Sequence, residues 1–164
     1  MPAMQLRIFV TGGTFDKEYD EIHGRLYFKD THVAEMLRLG RSRVEVAITP
    51  LMMIDSLEMK TEDRTRVCEA IRVCKEERVV VTHGTDTMVE TAAVIAAGNL
   101  DRTVVLTGAM IPYAFGSSDG LFNLGSALSF AQVLAPGVYL AMNGMYFPHD
   151  RVIKDRTTGT FESR

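Results

Sequence analysis

Two short stretches of the chain set hydroxyls beside groups able to activate them. Thr11-Gly12-Gly13-Thr14 follows an apolar run containing Leu6, Ile8, Phe9 and Val10, and Thr82-His83-Gly84-Thr85-Asp86-Thr87 follows Val79-Val80-Val81. A threonine hydroxyl is a poor nucleophile and attacks a carbonyl only with a base or a hydrogen-bonded partner. Thr85-Asp86 puts a carboxylate beside a hydroxyl. What both stretches lack is a group that accepts a proton near neutral pH, a role open to a lysine of lowered pKa or a polarised tyrosine. Lys154, in Val152-Ile153-Lys154-Asp155, and Tyr19, soon after Thr14, are the candidates. The glycines allow sharp turns and let a ligand approach main-chain N–H groups. Gly12-Gly13 does not continue as Gly-x-Gly-x-x-Gly and no Walker lysine follows, so a phosphate loop is not indicated. Thr87 and Glu90 have the spacing of a helix capping box, which leaves His83, Thr85 and Asp86 for chemistry. His83 acquires no catalytic task from its position.

These residues need strands and helices to hold them. Short apolar segments at 5–10, 44–48, 79–82, 103–107 and 138–142 read as strands, the second ending before Pro50. Helical patterns separate them: a short one capped by Asp30 or Thr31 and running to Leu39, one starting at Thr61-Glu62-Asp63, one ending at Gly98-Asn99, and one over about 121–134 with Asp119 as N-cap. Residues 15–30 read as a long polar loop with room for a short hairpin, and 143–164 as irregular. All-apolar strands alternating with helices imply a three-layer α/β sandwich with a mostly parallel, Rossmann- or flavodoxin-like sheet. In such a fold, turns at the carboxyl ends of strands are where ligands bind.

The 164 residues fit one domain, and 46% hydrophobic with 24% charged residues is ordinary for a soluble globular chain. A net charge of −3 gives no basic excess for a nucleic-acid partner. There is neither an apolar run of membrane-spanning length nor a secretory signal, so the expected location is cytoplasmic with no membrane partner. Cys68 and Cys74 match no redox or zinc spacing and read as reduced thiols, and the four histidines form no ligand pair, so metal dependence is not indicated.

Taken in order, Thr11-Gly12-Gly13-Thr14, His83-Gly84-Thr85-Asp86-Thr87-Met88, Thr107-Gly108-Ala109-Met110, Asp119-Gly120-Leu121-Phe122-Asn123-Leu124 and the Lys154 segment with Thr157-Thr158 beyond it span nearly the whole chain. This ordered set resembles the bacterial-type L-asparaginases. The resemblance implies hydrolysis of L-asparagine to L-aspartate and ammonia without metal or organic cofactor. It implies Thr14 as primary nucleophile forming an acyl-enzyme, assisted by Tyr19, with Tyr27 as the alternative because the loop varies in length. Thr85 would activate water with Lys154 as its proton partner, and Asp86 would also bind the substrate α-ammonium. Asp55-Ser56 corresponds to the loop whose serine holds the α-carboxylate. Backbone N–H groups near Thr85 and Ala109 would stabilise the oxyanion.

Three departures from the family pattern bear on selectivity. The family normally continues into a second domain that completes a neighbour's active site, whereas this chain reads as a single catalytic domain, 1–164, expected to form a homo-oligomer, a dimer being favoured. Leu57 follows Ser56 where some members carry a polar amide, and Ile111 stands where many carry an arginine. Other readings stay open at this stage: a glutaminase-asparaginase, a sensor that binds asparagine or aspartate without turnover, and a subunit supplying ammonia to a partner. One methylene of substrate length discriminates by only about 1–3 kcal/mol in an apolar pocket.

Overall fold

The computed structural model describes residues 4–164. Its centre is a six-stranded sheet whose order follows from the chain: β4 (Glu45–Ile54), β1 (Gln5–Gly12), β5 (Arg78–Thr82), β6 (Thr103–Thr107), β7 (Gly137–Met142) and β8 (Met145–Pro148). The first five are parallel and β8 pairs antiparallel with β7. Setting aside the edge strand β8, this is the flavodoxin-like order, with β1 and β5 side by side at the switch point. Two small antiparallel hairpins complete the strands, β2 (Lys17–Asp20) with β3 (Arg25–Phe28) and β9 (Val152–Asp155) with β10 (Thr160–Ser163).

Alternation along the buried strands sorts the core into two halves. Val79 and Val81 of β5, with Val104 and Leu106 of β6, face α2 (Thr61–Val73) and α3 (Met88–Ala97). Val80 and Val105 face the other way, against α1 (Val33–Leu39) and α4 (Gly120–Val133). Each central strand is therefore apolar on both faces, as a doubly covered parallel sheet requires. Among the described residues, no helix is long and apolar enough to cross a membrane.

Several expectations are corrected. β4 does not stop before Pro50 but runs through it to Ile54. It is an edge strand, and there a proline's missing N–H leaves no ladder bond unmade. Residues 143–164 are not irregular: they form β8, β9 and β10, with Phe147, Val152 and Phe161 buried in the core. Lys154 thus stands on an ordered strand rather than in a solvated tail. Asp119 does not cap α4 with its side chain; the Ser118 hydroxyl accepts the Gly120 N–H instead, at 2.9 Å. The segment after Thr14 is a 3-10 turn (Thr14–Asp16) leading into the β2–β3 hairpin. The Asp16 carboxylate accepts the His32 N–H at 2.7 Å, fixing that turn to the start of α1.

Candidate active site

Thr85 lies just beyond β5, buried, and its hydroxyl accepts a hydrogen bond from the Lys154 ammonium at 2.8 Å. The same ammonium bonds the Asp86 carboxylate at 2.8 Å. The Lys154 side chain is only 10% exposed and that of Asp86 38%, so the cation sits inside while its counter-charge reaches the surface. The Thr85 hydroxyl in turn lies 3.6 Å from the Met110 sulfur. Two adjacent sequence candidates and a third from a distant part of the chain are therefore one hydrogen-bonded cluster.

The neighbouring loops are fitted to this cluster by glycines. A methyl group on Gly13 would sit 2.3 Å from the Gly84 nitrogen, and one on Gly84 would sit 2.5 Å from the Ser56 hydroxyl. The ends of β1 and β5 consequently meet backbone to backbone and the Ser56 side chain packs on Gly84, with Thr14, Ser56 and Thr85 on the turns after β1, β4 and β5. Gly13 also has φ +71°, a conformation that side chains disfavour. Ser56 is buried and its hydroxyl accepts the Thr87 N–H at 3.3 Å. Asp55 is engaged on both oxygens, by the Lys17 ammonium and by the Leu57 N–H. Burial works against its charge, but these donors outweigh it and hold the acid below the usual carboxylate range.

Thr87 does not act as a capping-box residue. Its hydroxyl donates to the Ser56 carbonyl at 2.8 Å and accepts from Arg64 at 2.9 Å, and Glu90 is exposed. The residue that looked structural for α3 in fact ties the Ser56 turn to the Thr85 turn. His83 is fully buried, with Nδ1 2.7 Å from the Gly84 carbonyl and Nε2 2.7 Å from the Thr91 hydroxyl. These partners assign a neutral ring donating to Gly84 and accepting from Thr91. Burial pulls its pKa down to about 4, the Gly84 bond opposing and the Arg64 cation reinforcing. His83 thus holds the turn's backbone from beneath.

A third strand end closes the site. Gly108, after β6, lies against the His83 carbonyl and the Thr85 methyl, and buried Ala109 follows it. The Asp119 carboxylate accepts the N–H groups of Met110 and Ile111 at 3.0–3.1 Å, and Asn123 joins it to the Gly108 carbonyl. Sequence reasoning missed both of these roles, although Asp119 and Asn123 stand four apart on one helical face, which is a usable signal.

Thr14 is half-buried and its hydroxyl bonds no other described residue. Tyr19 is 54% exposed, its ring edge-on to Phe115 with centroids 6.5 Å apart, and its hydroxyl lies towards Gly24. The structure does not join it to Thr14 or to Lys154. Pairing across the hairpin sets Tyr19 opposite Leu26 and Lys17 opposite Phe28, whereas Tyr27 lies opposite Glu18. Tyr19 therefore shares the face of Lys17, which reaches the Ser56 turn, and Tyr27 is on the other face.

The model of the asparaginase N-terminal domain matches residues 5–164. The chain belongs to the asparaginase family. L-asparaginase 1 of Escherichia coli K12 is 41% identical over 141 residues, covering 80% of this chain and 41% of that protein. L-asparaginase of Thermococcus kodakarensis is 29% identical over 161 residues, covering 95% and 49%. The solved structure of the thermostable Thermococcus enzyme superposes with a TM-score of 0.86 at 30% identity over 98% of this chain and 51% of that one. The probable cytoplasmic L-asparaginase of Campylobacter jejuni gives 0.80 at 29%, over 97% and 52%. The chain thus spans about half the length, or less, of these asparaginases.

Proposed function

We propose that this asparaginase-family domain carries the catalytic centre of an L-asparaginase, acting on the side-chain amide of a free amino acid. The observation that supports it best is the hydrogen-bonded Lys154–Thr85–Asp86 cluster, set against the Thr14 turn through the Gly13–Gly84 contact. Thr14 Oγ attacks the amide carbon, and its proton passes to the departing nitrogen, which leaves as ammonia. The acyl-threonine that results is hydrolysed by water at Thr85: hydroxide adds to the acyl carbon, and the second proton returns to Thr14 Oγ as the bond breaks. Lys154, bonded to the Thr85 hydroxyl, passes one ammonium proton on towards Thr14 Oγ as it receives the water's proton through that hydroxyl, and Asp86 balances its charge. Tyr19 assists Thr14 once the hairpin brings it inward. Ser56 takes the α-carboxylate, with Asp55 shaping its turn, while Asp86 also takes the α-ammonium. Backbone N–H groups near Thr85 and Ala109 receive the oxyanion.

The test is ammonia release from L-asparagine and L-glutamine by the purified protein, Thr14→Ala and Thr85→Ala. Turnover of asparagine by the wild type and its near loss in both variants, each still folded by circular dichroism, is the expected result. Full activity in both variants overturns the mechanism. Asparagine binding without turnover by the wild type favours a sensor instead. A cytoplasmic setting, as in the name of the Campylobacter jejuni protein, and assembly as a homodimer complete the proposal; light scattering tests the latter.

A further inference from the structure

Lys17 has no part in the reaction above, yet it stands between two of its loops. It follows the 3-10 turn of Thr14, and its backbone N–H donates to the Thr14 carbonyl. Its ammonium reaches across to the Asp55 carboxylate, one residue before Ser56. The Lys17 side chain is 16% exposed and the Asp55 side chain 31%, so the cation is the more deeply placed of the two. A semi-buried ion pair returns little net stability after desolvation, and a merely structural bridge between these turns is already supplied by the glycine contacts and by Thr87. Asp55 moreover has a second donor, the Leu57 N–H at 3.0 Å.

The Ser56 hydroxyl accepts the Thr87 N–H, and its own proton has no acceptor among the described residues. Ser56 directly follows Asp55, so an anion seated on that proton is held one residue along the chain from the carboxylate that binds Lys17. An ammonium has three donors and serves two carboxylates at once. We propose that Lys17 is a specificity-determining residue whose ammonium binds the α-carboxylate of the substrate, Asp55 keeping it aimed at the Ser56 turn. The proposal rests on the amidohydrolase reading of the site. It makes the two ends of the substrate answer to two ion pairs: Asp86, shared with Lys154, for the ammonium, and Lys17, shared with Asp55, for the carboxylate. The substrate class is then a zwitterionic amino-acid amide, and amides without the α-carboxylate are discriminated against.

The experiment compares wild type, Lys17→Gln and Lys17→Arg on L-asparagine and on 3-aminopropanamide, which has the same amide and amine but no α-carboxylate. Calorimetric binding of L-aspartate and β-alanine, related in the same way, runs alongside. Lys17→Gln is expected to raise KM for asparagine about ten- to a hundredfold, as for the loss of a charged hydrogen bond, with kcat within about threefold. Lys17→Arg restores most of the loss. The preference for L-aspartate over β-alanine shrinks by the same factor in Lys17→Gln. An equal loss on both amides, or an unchanged preference for L-aspartate, makes Lys17 a clamp between turns and overturns the proposal. If the wild type hydrolyses neither amide, the amidohydrolase reading fails, and the binding arm still decides on Lys17. Failure of the wild type to prefer L-aspartate overturns the proposal as well.

Discussion

At the end of β5 the Thr85 hydroxyl is buried and bonded to Lys154, which is itself anchored on Asp86. At the end of β1 the Thr14 hydroxyl is half-buried and bonds nothing else among the described residues. Both threonines follow parallel strands that lie side by side in the sheet, Val10 opposite Thr82. The difference comes from what lies above each. Thr85 is roofed by the β9–β10 hairpin, whose Val152 and Phe161 are buried in the core. Thr14 is followed by the β2–β3 hairpin, whose Tyr19, Ile22 and Leu26 are all exposed. One half of the site is preorganised by packing, and the other is left to be completed by the ligand and the hairpin that meets it.

The comparison is broken most directly by removing its chemical members. Thr14→Ala, which removes the nucleophile, and Lys154→Met, which removes the proton carrier, are each expected to lower kcat on asparagine roughly 10⁴–10⁶-fold, the scale of losing one member of a nucleophile's unit. The double variant should be little worse than either alone, because residues that act as one unit are not additive; steady-state ammonia release checks both. Multiplied losses would mean that the two strand ends work independently.

Next in size is the seam between the halves. Gly13→Ala combines a positive φ with a contact of 2.3 Å to the Gly84 nitrogen. It should cost about 3 kcal/mol or more in urea unfolding.

The support beneath the Thr85 turn is tested by pH. The folded-state pKa of His83, about 4, lies below the ordinary 6.5, so between these values the unfolded chain binds more protons. His83 therefore leaves stability intact above about pH 6.5 and removes roughly 3 kcal/mol as pH falls towards 4. Urea unfolding of wild type against His83→Gln across that window should show the slope in the wild type alone. Smallest of all, Thr87→Val should cost about 1–2 kcal/mol through its lost bond to the Ser56 carbonyl. Glu90→Ala should stay within about 0.5 kcal/mol, since Glu90 is exposed. A larger effect at Glu90 than at Thr87 would return the pair to a capping role.

What could be read from the sequence follows the same division. Val79-Val80-Val81 and Thr103–Thr107 were legible as strands because burial on both faces demands unbroken apolar runs, and the α/β class followed from their alternation with helices. Thr85 and Asp86 were visible as an unexplained hydroxyl and carboxylate at a strand end. The strands beyond residue 143 were not legible, because short hairpins alternate polar and apolar residues over too few positions to separate from loop. That hid the ordered setting of Lys154, which residue chemistry offered only as one of two proton-accepting candidates and which the resemblance paired with Thr85. Pro50 misled because its effect depends on whether the strand is central or at an edge, which local sequence does not carry. Asp119 and Thr87 misled in the same manner: their types suit a cap, but tertiary partners (the 110–111 amides and the Ser56 carbonyl) claimed their side chains.

Among the described residues the β9–β10 hairpin pairs only with itself, and it joins the rest of the chain through side chains, Val152 and Phe161 among them. Its Lys154 reaches Thr85 across 69 residues of sequence. The β1–β5 pairing spans as much chain, Leu6 standing opposite Arg78, so what sets the hairpin apart is its place at the end of the order of synthesis. As the polypeptide leaves the ribosome, every strand of the main sheet emerges before this lysine does. The Lys154–Thr85–Asp86 cluster is thus completed only when that hairpin docks, and on the proposed function recovery of turnover during refolding is a clock for the docking.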